Sequence, residues 1–561
     1  MISVSYGAKY KNYPFYNWVP KPLGIILLIL LFIPILTVGG VYTANSGEMT
    51  SGLGIQSEHI QFVGFVTSIG MAAFSPFFYQ LVCIRREKMM CVVGFSLLYL
   101  LSYVCAVTDS IFVLALCSLI MGFLRMVLMM VNLFTLIRYA FGMEATRNIT
   151  PGNEPDDEQG WDRLDSEKSK SMPIIYLFFM ILGQLGTSLT AWLAYEYQWQ
   201  DVYYYMMGMT LVAILVVLVT MPYHAYNGRR FPITFRKFGN VAVFSSMMTC
   251  GIYVLVYGKT LDWMASPRIR IYIVIAPLLV ALFLWEQFHS PRPFVSLKPL
   301  FQWKAILGYF YMMLVMFFST STSLLTSYMT TILHVDNTRT YTIYIWLLPG
   351  YVLGAFVCFW WFRWQRWRFR FFIAGGMSCF ALFFGMLYFG ISPDSTYEML
   401  YLPMFLRGLG MLALIIAFAL FAVEDLQPKY LLSNAFFLIT FRSVLTPVIA
   451  SAFYSNTLYR LQQRYMVELS ETMSAADPLA ASRWQSAFSS ALAQGHGADE
   501  AVQMATNTLN TILQQQGTLL ALKHILGWLF AVTLAIAIIS RFIPFHKTVR
   551  VPVVRTGEDM V

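Results

Sequence analysis

Three arginines interrupt long apolar stretches of the chain, where charged side chains are rare. Arg125 lies midway along one apolar segment, Arg442 lies well inside another, and Arg407 lies near the start of a third. Burial of a guanidinium in hydrocarbon costs about 3 kcal/mol, so such a residue normally faces a protein interior or a water-filled cavity. Arg125 and Arg442 are therefore predicted to contact a polar ligand or to bridge two helices. For Arg407, a side chain that extends to the membrane surface is an equally open interpretation.

Other polar residues could act together with these arginines. Asn132 and Gln184 lie in apolar segments and are predicted to supply hydrogen-bonding groups to the same interior, while Glu48 and Glu196 lie near segment ends. A neutral carboxyl is less costly to bury than a charged one, so a carboxyl can load and release a proton as its surroundings change. If this chain uses protons, Glu48 and Glu196 are the nearest candidates to carry them.

The sequence lacks the residue patterns of catalysis. The seven histidines are scattered, without the spacing of metal ligands. The Gly-rich loop that cradles ATP phosphates, with its Gly-Lys-Ser/Thr ending, does not occur. We therefore predict that the chain is not an enzyme, holds neither a metal nor a cofactor, and does not use ATP.

The segments that carry these residues are long enough to cross a bilayer. Hydrophobic residues make up 58% of the 561 residues and charged residues 12%, about half the charge of a soluble domain. A membrane span needs about 20 apolar residues, because each backbone amide must be hydrogen-bonded within its own helix. We predict an all-α membrane protein of about 14 transmembrane helices, at residues 22–43, 60–83, 89–108, 110–138, 173–197, 202–222, 241–260, 268–288, 305–330, 341–362, 371–391, 399–423, 431–454 and 519–541.

Short basic clusters fall mainly in alternate connections between these segments. Arg85, Arg86 and Lys88 follow the second segment, and further clusters follow the sixth, eighth, tenth and last. Such clusters mark the cytoplasmic side, which predicts that both termini are cytoplasmic. Lys259, Arg268 and Arg270 depart mildly from this pattern. The net charge of +10 is thus explained by membrane topology, and no nucleic-acid partner is predicted.

The long connection 455–516 is predicted to form a helical hairpin outside the membrane. Its apolar residues recur at intervals of three and four, which is typical of helices with one buried face. Tyr465, Trp484 and Phe488 are large enough to anchor a partner protein. A hairpin that packs only on itself, as a lid, is the alternative.

Several short motifs lie within or between the apolar segments. They are Gly183-x-x-Gly186, Gly258-x-x-x-Asp262-Trp263, Leu348-Pro349-Gly350, and Leu406-Arg407-Gly408-Leu409-Gly410.

In their order, these motifs resemble the fourteen-span drug:proton antiporters of the major facilitator superfamily, the EmrB/QacA type. The chain departs from that pattern in the first span, where no acid stands near Val38. The loop motif after the second span is reduced to Arg85-Arg86-x-Lys88. The arginine that the family carries in span four aligns with about Ser118, and Arg125 follows it two turns along the same face.

The resemblance implies a fold of two six-helix bundles, at 1–222 and 305–561, with two inserted central helices and a cytoplasmic linker at 223–304. It also implies alternating access, with proton-coupled efflux of amphipathic compounds across the inner membrane of a Gram-negative bacterium. A HlyD-like periplasmic adaptor and a TolC-like outer-membrane channel would be the partners, and the hairpin 455–516 would be the contact. Two alternatives stay open: an organic-anion transporter that uses the basic residues of its cavity, and a receptor or scaffold that does not transport.

Overall fold

The computed structural model describes residues 14–74, 77, 87–141, 158–223, 235–290, 293–364, 368–424, 426–427, 430–472, 478–543 and 545. Within these ranges the chain is folded into helices joined by turns and short connections, with no strand. Arg85 and Arg86 lie outside the described residues.

A first group of helices precedes the polar connection 224–234. Its members are α1 (Lys21–Ala44), α2 (Ser46–Leu53), α3 (Ser57–Phe74), α4 (Glu87–Val107), α5 (Ile111–Phe141), α6 (Glu158–Glu196) and α7 (Asp201–Thr220).

An inserted pair follows, α8 (Phe235–Tyr257) and α9 (Pro267–His289). Proline opens α9, where its fixed φ suits the first turn and its missing N–H costs no hydrogen bond. The two helices pack against each other, and α8 also contacts α3 and the later helix at 446–472.

A second group completes the chain. Its members are α10 (Trp303–Ser319), α11 (Thr322–Thr331), α12 (Asn337–Thr342), α13 (Leu347–Trp364), α14 (Phe369–Gly390), α15 (Tyr401–Phe421), α16 (Leu431–Ile439), α17 (Thr446–Thr472), α18 (Pro478–Ala493) and α19 (Ala498–Phe542). A π-helical turn, Thr440–Leu445, joins α16 to α17.

Thirteen helical stretches of the described chain are long and apolar enough to cross a membrane. The predicted second span is not among them, because α3 begins with the polar residues Ser57, Glu58 and His59 and is described only to Phe74. The other predicted spans each overlap one of the thirteen stretches, although the last two stretches, Ser433–Glu471 and Ala498–Phe542, are much longer than predicted.

The two groups repeat the same packing. Helix α3 packs on α5 as α13 packs on α15, and α4 packs on α7 as α14 packs on α19. Glycines make both close contacts possible: a Cβ on Gly122 would lie 1.9 Å from the carbonyl oxygen of Thr67, and one on Gly350 would lie 2.3 Å from that of Phe405. Helices α5 and α15 are therefore equivalent members of the two groups.

Two ends of the molecule are distinguished below. The terminal face is the end at which α1 begins and α19 ends, and the hairpin face is the opposite end. Towards the terminal face, aromatic rings close the seam between the groups: Phe294 lies 6.1 Å from Phe77 and 6.3 Å from Phe436, and Phe244 lies 5.0 Å from Phe436, between ring centroids.

Beyond the hairpin face, α17 and α19 continue as long helices and α18 packs on α19. Ala491, Ala501 and Ala505 are buried where helices meet. Gln462 Nε2 donates a hydrogen bond to Thr518 Oγ1 at 2.9 Å, which ties α17 to α19. The described part of the predicted hairpin is thus helical except for the turn at 494–497, while residues 473–477 lie outside the description.

Candidate functional site

A cavity of about 890 Å³ lies between the two groups of helices. It is lined by residues of α1, α3, α5 and α6 on one side and of α10, α11, α13, α15 and α17 on the other. Among the lining residues, Gln61, Ser323 and Tyr459 are exposed, whereas Thr67 and Ser319 are buried. The cavity is therefore open at the hairpin face and closed deeper in the molecule.

Serine, threonine and tyrosine make up more than half of the residues that line the cavity. Its charged residues are Arg125, Lys259 and Arg407, and no aspartate or glutamate of the described chain lines it. Positive groups in a cleft with low-dielectric walls raise the local concentration of anions. The cavity is consequently suited to a negatively charged ligand.

Arg125 reaches the cavity from α5. Its guanidinium packs against Gly39 of α1, where a Cβ would lie only 2.5 Å from Arg125 Nη1. The same Nη1 lies 3.6 Å from the sulfur of Met71, a weak acceptor. Gly39 thus makes room for the arginine, and the arginine lacks a carboxylate partner among the described residues.

Arg407 reaches the same cavity from α15, the helix equivalent to α5. It is 4% exposed, and its Nη2 donates a hydrogen bond to the carbonyl oxygen of Ser319 at 2.6 Å. The guanidinium carbon lies 5.8 Å from the ring centroid of Phe383. The side chain therefore points into the protein, and the interpretation that it extends to the membrane surface is wrong.

Several hydrogen-bond donors at the cavity lack an acceptor. Arg125 Nε, Arg407 Nε and Gln184 Nε2 are buried without a partner in the described part of the chain, and all three residues line the cavity. Buried polar groups are almost always hydrogen-bonded in folded proteins. The protein therefore leaves these arginine and glutamine groups of the cavity wall short of acceptors.

Arg442 lies in the π-helical turn Thr440–Leu445. It is close enough to Tyr176 of α6 and Tyr351 of α13 for electrostatic interaction. The next residue, Ser443, lines the cavity, whereas Arg442 itself does not. Arg442 is thus placed to bridge the two groups behind the cavity wall.

The remaining polar candidates lie elsewhere. Asn132 faces Cys91 of α4, whose sulfur lies 3.6 Å from Asn132 Oδ1. Glu48 is partly exposed on α2, and Glu196 is exposed at the end of α6. None of these three residues lines the cavity. Proton binding by Glu48 or Glu196 would therefore occur outside it.

The glycine motifs mainly serve close packing. A Cβ on Gly186 would lie 3.6 Å from the carbonyl carbon of Leu36, whereas Gly183 has open space around it. A Cβ on Gly408 would lie 2.6 Å from the Leu347 carbonyl oxygen, and one on Gly410 would lie 2.8 Å from that of Gly376.

These contacts hold α15 against α13 and α14 and so fix the backbone of Arg407. Pro349 lies in the first turn of α13, where a missing N–H is tolerated.

Asp262 and Trp263 form a turn between the inserted helices. Both have a φ of 51°, in the left-handed region. The backbone N–H of Trp263 donates to the carbonyl oxygen of Gly258 at 2.8 Å. The motif is thus a tight turn at the hairpin face.

The aromatic residues of the hairpin contact other residues of the chain. Tyr465 Oη is hydrogen-bonded to His524 Nδ1 at 2.9 Å. Trp484 and Phe488 stack on each other, with ring centroids 5.2 Å apart and an interplanar angle of 7°. Part of their apolar surface is already buried within the hairpin, as a lid would require.

Sequence comparison identifies the family. The sequence model of the Major Facilitator Superfamily matches residues 27–451. The chain belongs to the Major Facilitator Superfamily. It is a multi-pass membrane protein and a transporter, not an enzyme, and the predicted all-α fold is confirmed. No curated protein sequence matches the chain.

Solved structures of other transporters share the superfamily fold. A mutant of the peptide transporter POT bound to alafosfalin aligns with a TM-score of 0.52 and 13% identity, over 96% of this chain and 98% of its own. Tetrameric PepTSo2 aligns with a TM-score of 0.50 and 12% identity, over 93% and 99%. At such identities the likeness extends to the fold alone.

Several cavity residues of this superfamily member are not marked by the sequence. Lys259 stands within the Gly258–Trp263 motif, but in the sequence it is only a departure from the charge pattern. Tyr344, Tyr351 and Tyr454 surround Arg407 and line the cavity. No signal marks these tyrosines, because aromatic residues make up 17% of the chain.

Proposed function

We propose that this protein is a secondary active transporter of amphipathic organic anions. Arg125 and Arg407 bind the acid group, and the apolar part of the substrate packs on Met316, Met411 and Leu458, which share the lining. The observation that carries the proposal is the charge of the cavity: its charged residues are all basic, and the described residues place no carboxylate beside them.

The positions of the two arginines suit alternating access. Arg125 belongs to the first group and Arg407 to the second, on equivalent helices. An anion bound between them interacts with both groups at once. A ligand shifts a conformational equilibrium by its differential affinity for the two states, so such an anion would favour states in which both arginines reach it.

Direction and setting follow from the charge pattern and the family resemblance. We propose export across the inner membrane of a Gram-negative bacterium, with both termini in the cytoplasm and the hairpin outside. Proton-coupled efflux of drugs by an EmrB/QacA-type antiporter is the second candidate, supported by the order of the motifs from Gly183 to Gly410. A HlyD-like adaptor and a TolC-like channel are proposed partners of the hairpin in either case.

Ligand charge can be tested with three naphthalene derivatives of similar size. Naphthalene-2-sulfonate is anionic, naphthalene-2-sulfonamide is neutral, and 2-naphthyltrimethylammonium is cationic. A ligand that binds only the folded state at 100 times its Kd stabilises that state by about 2.7 kcal/mol. We expect the sulfonate to raise the Tm of the purified protein and the other two to leave it unchanged. Stabilisation by the cation and not by the sulfonate would overturn the proposal.

Transport itself is measured by counterflow of labelled naphthalene-2-sulfonate in proteoliposomes. Arg125→Met and Arg407→Met are expected to lower counterflow strongly at sulfonate concentrations near the wild-type Kd. Arg268→Gln, which removes an exposed charge outside the cavity lining, is the matched control and should retain it. A wild-type protein that binds the sulfonate without counterflow would be a receptor or scaffold.

A further inference from the structure

The inserted helices also contribute a charge to the cavity. Lys259 is the second residue after the end of α8 and lines the mouth, as does Tyr459 of α17. The Lys259 ammonium lies over the Tyr459 ring, 4.7 Å from its centroid. The ion pairs of the described chain join other residues. Lys259 is therefore a cation that faces an aromatic ring and not a carboxylate.

The turn after Lys259 fixes its backbone. Leu261 N donates to the carbonyl oxygen of Tyr257 at 3.0 Å, and Trp263 N donates to that of Gly258 at 2.8 Å. The Trp263 ring covers Gly258 so closely that a Cβ there would lie 2.8 Å from its Cε3 atom. The Gly258–Trp263 motif thus presents Lys259 at one place on the cavity rim.

Helix α8 is attached at this end to the first group of helices. Tyr257 Oη is hydrogen-bonded to His59 Nδ1 of α3. Phe62 of α3 lies 6.1 Å from Tyr253 and 5.8 Å from Tyr257, between ring centroids. Tyr459 belongs instead to the second group, so the contact between Lys259 and Tyr459 joins the inserted pair to the second group at the cavity mouth.

We propose that Lys259 is an outer anion-binding site of the transport path, and that the inserted pair serves to present it there. This inference rests on the proposed function. A cation–π contact at an exposed site is weak, so an acid group at the mouth replaces the Tyr459 ring at Lys259. Arg125 and Arg407 then bind the same acid group deeper in the cavity. The three basic residues act in sequence on one anion.

The test compares Lys259→Gln, Lys259→Arg and the control Arg268→Gln in counterflow of naphthalene-2-sulfonate. One lost charge near the ligand corresponds to about a fivefold change in affinity in a water-like dielectric. We expect Lys259→Gln to raise KM about fivefold with kcat unchanged, and Lys259→Arg to restore KM. Salt adds a second readout, because the Debye length falls from about 30 Å at 0.01 M to about 8 Å at 0.15 M. The difference between Lys259→Gln and wild type should shrink at the higher concentration.

A second variant moves Lys259 without removing its charge. Gly258→Ala places a Cβ against Trp263 and should raise KM as Lys259→Gln does. Trp263→Ala, which removes the covering ring, provides the same test if Gly258→Ala does not fold. The Tm shift with saturating sulfonate confirms that the deep site is intact in each variant.

An unchanged KM in Lys259→Gln, with sulfonate-dependent counterflow in wild type, would refute this inference alone. Absence of sulfonate binding by wild type would instead refute the proposed function.

Discussion

Replacement of Arg407 by methionine should separate ligand affinity from protein stability. Methionine keeps most of the volume of the side chain but removes its charge and its hydrogen bond to Ser319. Because the guanidinium is buried without a carboxylate in the described chain, the two properties are expected to change in different ways.

The loss of affinity follows from the electrostatics of a partly buried site. Two opposite charges 4 Å apart attract by about 4 kcal/mol at an effective dielectric constant of about 20. Removal of one partner from a buried charge pair typically costs about 2 to 5 kcal/mol. Since Arg125 remains in Arg407→Met, we take the lower part of that range, about 2.8 kcal/mol, which is a 100-fold weaker Kd.

The stability of the ligand-free protein should hardly change. An arginine in a transmembrane helix costs at most about 3 kcal/mol, the value for the centre of the helix. The bond from Arg407 Nη2 to the Ser319 carbonyl oxygen returns about 1.5 to 3 kcal/mol, as charged hydrogen bonds do. The two terms nearly cancel. The free energy of unfolding of Arg407→Met is therefore expected to lie within about 1 kcal/mol of the wild-type value or slightly above it.

Both quantities can be read from thermal unfolding in detergent over a concentration series of naphthalene-2-sulfonate. The Tm without ligand reports stability, and the concentration dependence of Tm reports Kd. Arg407→Lys, which keeps the charge, should fall between wild type and Arg407→Met in affinity. A large drop in ligand-free Tm with an unchanged Kd would show that Arg407 only joins α15 to α10, and the reasoning would be wrong.

Two further predictions concern the cavity wall and the hairpin. Gly39→Ala should weaken sulfonate binding about tenfold, a loss of about 1.4 kcal/mol, because the new Cβ displaces the Arg125 guanidinium. The control Gly183→Ala, at a position with open space around it, should bind the sulfonate as wild type does. Equal sulfonate-dependent Tm shifts in the two variants would exclude this role of Gly39. Replacement of residues 467–513 by a short linker should leave sulfonate binding unchanged, because Gln462 of the cavity lining is retained. The same variant should no longer capture a HlyD-like adaptor in a pull-down. Retained capture would place adaptor docking elsewhere.

The helices could be predicted because the membrane imposes their length. The backbone N–H and C=O groups of each span must be hydrogen-bonded within the span, so a long apolar segment of the sequence corresponds closely to a helix. The predicted start of the hairpin at Ser455 does not correspond to a structural boundary, because α17 is continuous from Thr446 to Thr472. Two residues beyond Ser455, Leu458 and Gln462, still line the cavity. Hydropathy marks where apolar composition ends, not where a helix stops contributing to a site.

The site could be predicted only in part, for reasons that differ between residues. Arg125 is recognisable because a charged side chain deep in an apolar segment normally faces the protein interior or a water-filled cavity. Asn132 lies about two turns further along the same helix and meets α4 instead, since the cavity does not extend that far. Lys259 depends on a turn between two helices and on the meeting of α8 with α17. Such tertiary relations leave no periodic signal in the sequence.

The described residues place no carboxylate in the cavity, and this bears on how the carrier returns after releasing its cargo. Occlusion removes water from the arginines, and a guanidinium that loses hydration without an ion partner is costly to enclose. A bound anion supplies that partner, so the loaded carrier can occlude at less cost than the empty one. Reorientation would then be slow when empty and fast when loaded, which makes one-for-one exchange the favoured mode. Net flux would be set by the anion available on the opposite side of the membrane.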